Sequence, residues 1–249
     1  MRFDVVTLFP DMIRHISGYG VTGRAIDNGI VAMKLWNPRD FANNHHRAID
    51  DRSYGGGPGM VMMVRPLQAA VEAVRADSDL PGKTLFLNPQ GRRLTQIDIK
   101  SFAKRERLIL IAGRYEGVDE RFIDMEVDEE WSLGDYVVSG GELAALVVID
   151  AVTRLLPGVL GDDESAQRDS FMNGLLDYPH YTRPVEIDGR CVPDVLLSGN
   201  HAEIDRWRLK QSLGRTNRRR PDMLAGRILT DEQRQLLNEF EIEKTKGNE

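Results

Sequence analysis

The sequence predicts an α/β fold built on a parallel sheet, followed by a smaller, mainly helical C-terminal domain. Three features of the 249 residues carry that expectation. Leu108 to Ala112 is a continuous apolar run, the pattern of a strand covered on both faces by helices. Lys83 to Leu87 is a second short strand that ends in Asn88-Pro89-Gln90-Gly91, a turn by composition. Strand-like segments alternate with helical ones only as far as residue 160, and beyond it the alternation stops.

Taken in order, Asp4 to Phe9 reads as the first strand. Pro10-Asp11-Met12 follows it where a dinucleotide fold would carry Gly-x-Gly-x-x-Gly, so neither that fold nor the common Rossmann-type methyltransferase is supported. The glycine run from Tyr54 to Gly59 lacks the Gly-Lys-Ser/Thr ending of a phosphate loop and leads into the apolar Met60 to Val64; by itself it reads as a mobile loop. Helices are expected over Arg65 to Ala76, Thr95 to Arg105 and Gly141 to Leu156. Leu108 to Ala112 ends in Gly113-Arg114-Tyr115-Glu116-Gly117. Further on, Gly134, Gly140 and Gly141 bracket a short β-prone patch, Tyr136 to Val138, just before an apolar segment, Leu143 to Leu160, that still carries Asp150 and Arg154. In open α/β sheets the ligand lies beyond the carboxyl ends of the strands. Three glycine-containing loops at such ends form a cradle in which bare backbone can approach a small molecule.

Gly161 to Leu176 is polar and without sustained periodicity, which reads as a linker or mobile loop. After it, Asn200 with Glu203 makes a capping box for a helix through Leu213, and Thr230 with Gln233 another for a helix through Ile242. The expected domains are therefore 1–160, the linker 161–176, and 177–249.

A hydrophobic content of 41% is enough for a real core. Cys191 is the single cysteine, which excludes an intramolecular disulfide and a cysteine zinc cluster and suits a reducing cytoplasm. No basic-then-apolar leader opens the chain, and Leu143 to Leu160 is broken by charge, so neither secretion nor membrane spanning is expected. The net charge of −6 is unevenly spread. Glu116 to Asp135 holds nine acids and one base, Arg121, whereas Arg206 to Arg220 holds seven cations and no acid. With no acid interspersed, the second stretch looks less like salt-bridge lacing than like a phosphate-binding face, and it points to RNA.

Several motifs together resemble the bacterial tRNA (guanine-N1)-methyltransferase (TrmD) family of the SPOUT superfamily. They are Asp50-Asp51-Arg52 with Tyr54 to Met60, Gly113 to Gly117, Ser132 to Glu142, and Leu197 to His201. The resemblance covers nearly the whole chain. It implies a deep trefoil knot in the parallel sheet, a homodimer, S-adenosylmethionine as methyl donor, and methylation of N1 of guanosine 37 in tRNA. Another SPOUT RNA methyltransferase with a different target nucleotide, or a non-catalytic RNA-binding protein that keeps the fold, are the alternatives.

The resemblance also implies site residues. For the cofactor these are Leu87 and Pro89, Gly113 and Glu116, Leu133, Gly134, Tyr136 and Val138, and Gly140 and Gly141. Guanine N1 carries a proton at neutral pH, so a base must take it and the charge that develops on O6 must be stabilised. The family pattern matches Asp169 to the base and Arg154 to the cation. By composition alone Asp169 is one more linker acid beside Asp162, Asp163 and Glu164, and Arg154 an i,i+4 partner of Asp150. Glu116 is the candidate for a Mg²⁺ ligand, since hard cations choose oxygen. Arg215, Arg218, Arg219 and Arg220 are the candidates for tRNA phosphate. Phe86, Asn88 and Ala144 depart from Tyr, Ser and Pro common in relatives, and none of the three is a proposed catalytic group.

Overall fold

The computed structural model describes residues 1–161 and 166–246, in two compact units, Met1–Asp163 and Glu164–Glu249. The strands of the first unit are β1 (Arg2–Val6), β2 (Ala32–Trp36), β3 (Asp50–Asp51), β4 (Val61–Met62), β5 (Gly82–Arg93), β6 (Arg107–Ile111) and β7 (Glu129–Ser132). Its helices are α1 (Pro10–Ser17), α2 (Gly20–Asp27), α3 (Val64–Ala76), α4 (Gln96–Phe102), α5 (Glu120–Glu126) and α6 (Gly141–Thr153). Five strands form one sheet in the order β2-β1-β6-β5-β7, every neighbouring pair parallel. All five carboxyl ends therefore lie along one edge.

The continuous apolar run works as its pattern demands: every residue of β6 is buried. Leu108 and Leu110 join Phe3, Val5 and Leu85 against one layer, with Ile13 of α1, Ala25 of α2, Phe102 of α4 and Val148 of α6. Ile109 and Ile111 face the other layer, with Val71 of α3 and Phe122 of α5. Leu67, Ala70, Val71 and Val74 recur at helical spacing, which is why α3 presents a single buried face. Across the sheet, Asp4 and Arg107 form a buried ion pair (2.8 Å), with side chains only 0% and 2% exposed. Asp4 also accepts from Arg2 (2.7 Å) and from Trp36 Nε1 (2.9 Å), so the pair is not left short of hydrogen bonds.

Two local expectations are corrected. Tyr136 to Val138 is not a strand; the strand is β7, just before it, while Tyr136 and Val137 are exposed. Pairing with β5 decides this, because Leu85, Phe86 and Leu87 register with Glu129, Glu130 and Trp131. The turn at Asn88 to Gly91 forms, but within β5: Leu87 and Arg92 both pair with Trp131, and the four residues between them loop out. Asn88 Oδ1 closes that loop by accepting from the amides of Gln90 (2.7 Å) and Gly91 (3.0 Å). A side chain at Gly91 would collide with the backbone of Trp131.

The second unit holds a hairpin of β8 (Glu186–Ile187) and β9 (Arg190–Cys191), turned at Asp188-Gly189. Both turn residues have positive φ, 50° and 72°, as a tight two-residue hairpin requires. Two helices follow, α7 (His201–Arg219) and α8 (Asp231–Lys246). Asn200 caps α7 by accepting from Glu203 N–H (3.4 Å), and Thr230 and Gln233 form both halves of a capping box (3.1 and 3.2 Å). Helix α7 does not stop at Leu213. Gly214 lies inside it, forming a notch that the Phe240 ring of α8 fills, so the glycine serves packing rather than termination. Leu213 and Leu236 are fully buried beside Leu175. The described part of the expected linker is thus tied into this unit, with Leu176 N–H donating to Thr216 Oγ1 (2.9 Å). Asp162, Asp163 and Glu164 lie outside the described residues. Among the described residues no helix is long and apolar enough to cross a membrane.

Candidate functional site

At the carboxyl edge of the sheet, the loops after β5, β6 and β7 and the start of α6 enclose a cavity of about 180 Å³. Leu87 and Pro89 line it from β5, and Gly113 and Glu116 from the loop after β6. Leu133, Tyr136 and Val138 come from the loop after β7, and Gly140 and Gly141 from the head of α6. Nine of the ten residues expected at a cofactor site therefore share one hollow. Gly134 is the exception: its backbone amide and carbonyl bond to Ser132 Oγ (3.2 and 3.1 Å) and shape the turn. Trp131 and Arg114 also line the cavity without having been expected there, as does Asn88, noted above only for its turn and its departure from Ser.

The glycines act mainly between chain segments. Gly141 N–H donates to Gly113 O (2.8 Å), and a Cβ on Gly141 would stand 2.7 Å from Ala112 Cα. A Cβ on Gly113 would lie 2.9 Å from the Phe86 ring. Gly141 lets α6 begin against the end of β6, and Gly113 leaves room for the Phe86 ring, so a side chain at either position would meet protein atoms.

Beneath the cavity, Arg114 Nε donates to Glu142 Oε2 (2.7 Å), and Thr7 Oγ1 donates to Glu142 Oε1 (2.8 Å). Glu142 is completely buried, and Arg114 also donates to Ser139 O (3.1 Å) and stacks on Phe9 (4.5 Å). Three carboxyl-edge loops are joined by this one carboxylate. Glu116 is exposed, and its amide donates to Met60 O (3.0 Å). A Cβ at Gly59, itself at φ +79°, would collide with the Glu116 carboxylate, so the glycine run packs onto the cavity rim. Among the described residues no group of three or more His, Cys, Asp or Glu side chains is arranged to hold a metal.

Arg154 sits at the other end of α6, where its backbone N–H donates to Asp150 O (3.1 Å) and its side chain is half-buried. The helix is 13 residues long, which puts Arg154 about 20 Å along the axis from Gly141, at 1.5 Å per residue. Asp150 itself accepts from Thr22 Oγ1 (3.1 Å). Asp169 is half-buried in the second unit and borders a hollow there with Tyr178, Arg208 and Ser212.

The basic stretch is more heavily paired than its composition implies. Glu239, Glu243 and Glu241 of α8 bind Arg206 (2.8 Å), Lys210 (2.6 Å) and Arg218 (2.7 Å), while Asp205 and Asp222 bind Arg208 (3.2 Å) and Arg220 (2.7 Å). The reading that these cations are not laced with acids is therefore corrected: the acids come from outside the stretch. Arg215 is half-buried and Arg219 exposed, and neither makes an ion pair among the described residues.

A family model described as tRNA (Guanine-1)-methyltransferase TrmD matches residues 1–226. A protein of Methylococcus capsulatus named tRNA (guanine-N(1)-)-methyltransferase is 60% identical over 99% of this chain and 100% of its own. Proteins of the same name from Shewanella sediminis and Photorhabdus laumondii are 60% and 59% identical, over 96% and 98% of this chain and 99% and 97% of theirs. With a parallel sheet, glycine loops converging at its carboxyl edge, and similarity along nearly its entire length, the chain belongs to the tRNA (guanine-1)-methyltransferase TrmD family.

Proposed function

We propose that this protein transfers a methyl group from S-adenosylmethionine to N1 of guanosine 37 in tRNA. The observation that carries the reading is the convergence of nine expected cofactor residues on one cavity. Its residues fit an adenosyl group. Leu87, Leu133 and Ala144 supply apolar walls, and the glycine loops bring backbone amides and carbonyls to the rim. The bound cofactor supplies an electrophilic methyl on a sulfonium centre. Asp169 accepts the N1 proton, and Arg154 balances the charge that develops on O6, since its guanidinium stays charged at all working pH values. Glu116, at the rim, is the residue to hold Mg²⁺.

The active protein is a homodimer, with Asp169 of one protomer serving the cavity of its partner. Two features support this. Helix α6 exposes Leu143 and Val147 at 42% and 49%, on a face whose next turn carries Asp150, and α1, which packs against α6, exposes Ile16 at 51%. The span of α6 also keeps Arg154 remote from the cavity in its own chain. For the trefoil knot, support comes from Gly91 against Trp131 and Gly141 against Ala112, where chain segments pass at backbone distance. Arg215, Arg218, Arg219 and Arg220 meet tRNA phosphate, and the compartment is the cytoplasm, where tRNA is its substrate.

Methyl transfer to an anticodon stem-loop transcript tests the reading. Transfer is expected with guanosine at position 37 and is lost when adenosine replaces it. Equal transfer to both transcripts would move the target elsewhere.

A further inference from the structure

We propose that helix α8 is an intramolecular competitor for RNA phosphate, holding down the affinity of the basic helix α7 by occupying three of its cations. The inference rests on the reading of α7 as a tRNA-phosphate surface and adds to it the element that regulates that surface.

The geometry is specific. Phe240 fills the notch at Gly214, and three acids on α8 surround that contact. Glu239 binds Arg206 at 2.8 Å, Glu243 binds Lys210 at 2.6 Å, and Glu241 binds Arg218 at 2.7 Å. Arg218 also lies 5.2 Å from the Phe240 ring centre. Acids at 239 and 243 are one helical turn apart, as are the cations at 206 and 210, so the two rows meet in register. Lys210 is only 10% exposed, against 56% for Glu243.

A carboxylate offers a guanidinium the same planar pair of acceptors that a phosphate offers. Each of these glutamates therefore satisfies a cation in the free protein and must yield if RNA is to use it. Exposed pairs of this kind are individually weak, so the exchange is within reach of a polyanion. The consequence is selectivity. A ligand meeting only Arg215 and Arg219 gains little, whereas one shaped to engage α7 along its length displaces the glutamates and gains three more contacts. A cation already paired with a glutamate releases no counterion from RNA until that pair is broken, which restrains binding of arbitrary RNA.

The test uses the full chain with Glu239→Gln, Glu241→Gln and Glu243→Gln combined, which keeps side-chain size while removing the competing charge. Binding of the anticodon stem-loop and of poly(U) is measured across a salt series, beside a charge-matched control carrying Glu72→Gln, Glu106→Gln and Glu120→Gln in the first unit. For poly(U), each freed cation is expected to steepen the log affinity versus log salt slope by roughly 0.7 to 0.9, whereas the stem-loop, which already displaces the glutamates in the parent, gains affinity with little change of slope. Circular dichroism checks folding; should the triple variant unfold, Glu241→Gln alone is expected to show the single-contact change. A poly(U) slope equal to the parent's, or equal steepening in the control, overturns the proposal. Failure of the parent itself to bind the stem-loop would instead overturn the tRNA reading, and this inference with it.

Discussion

Glu142 and Arg114 are joined at 2.7 Å beneath the cavity, one completely buried and the other 20% exposed. The pair fastens the first turn of α6 to the loop after β6, and Thr7 ties the end of β1 to the same carboxylate. Removing one partner of a buried pair strands the other. Glu142→Ala is expected to cost about 3 kcal/mol, the low end for such pairs because Arg114 still reaches solvent. It should also weaken S-adenosylmethionine binding, since the loop after β6 and the head of α6, both lining the cavity, lose the carboxylate that joins them. Urea unfolding and calorimetric titration measure the two effects, and a parental midpoint with parental affinity would remove Glu142 from this role.

Asp4 makes acid stability depend on one buried group. Burial pushes its pKa up, but hydrogen bonds from Arg2, Trp36 and Arg107 outweigh it and hold the carboxyl below its ordinary value. A depressed folded-state pKa contributes stability that is present above the unfolded value of about 3.9 and lost as pH falls through the folded one. Asp4→Asn should therefore lower stability at neutral pH and flatten its decline in acid. Unfolding free energies measured from pH 7 downward would show parallel curves for parent and variant if Asp4 contributed nothing.

Asp169→Asn separates chemistry from binding. Loss of the basic carboxylate is expected to slow single-turnover transfer by about two to four orders of magnitude, the usual scale for a general base, with tRNA and cofactor affinity retained. If each site combines two protomers, mixing Asp169→Asn chains with Leu133→Trp chains, whose larger side chain is placed to fill the cavity that Leu133 lines, restores activity through one intact site per heterodimer. Absence of restoration in a mixture shown to exchange subunits would place the base and cavity in the same chain.

Replacing Arg215, Arg218, Arg219 and Arg220 together is expected to weaken tRNA binding and flatten its salt dependence by roughly 0.7 to 0.9 log units per lost contact. Cofactor binding should remain parental. An unchanged slope would reduce these residues to a solvated face.

Elements whose signal is local were readable in the sequence. Strand β6 announces itself because burial on both faces demands five consecutive buried residues, and the Thr230–Gln233 capping box needs only neighbours three positions apart. The three loops of the cavity were legible because glycine marks places where backbone must come close. What the glycines approach was not: Gly141 meets Ala112, nearly thirty residues upstream. The patch at Tyr136 to Val138 has strand propensity, but register with β5 assigns the strand to Glu129–Ser132. The acids that neutralise Arg206, Lys210 and Arg218 lie on another helix, so the composition of the basic stretch contains no trace of them. Asp169, likewise, is chemically identical to the other acids of its segment, so composition gives it no role of its own. Propensity and spacing act over one or two turns of chain, whereas charge pairing and close approach depend on distance in space, which the folded chain alone sets.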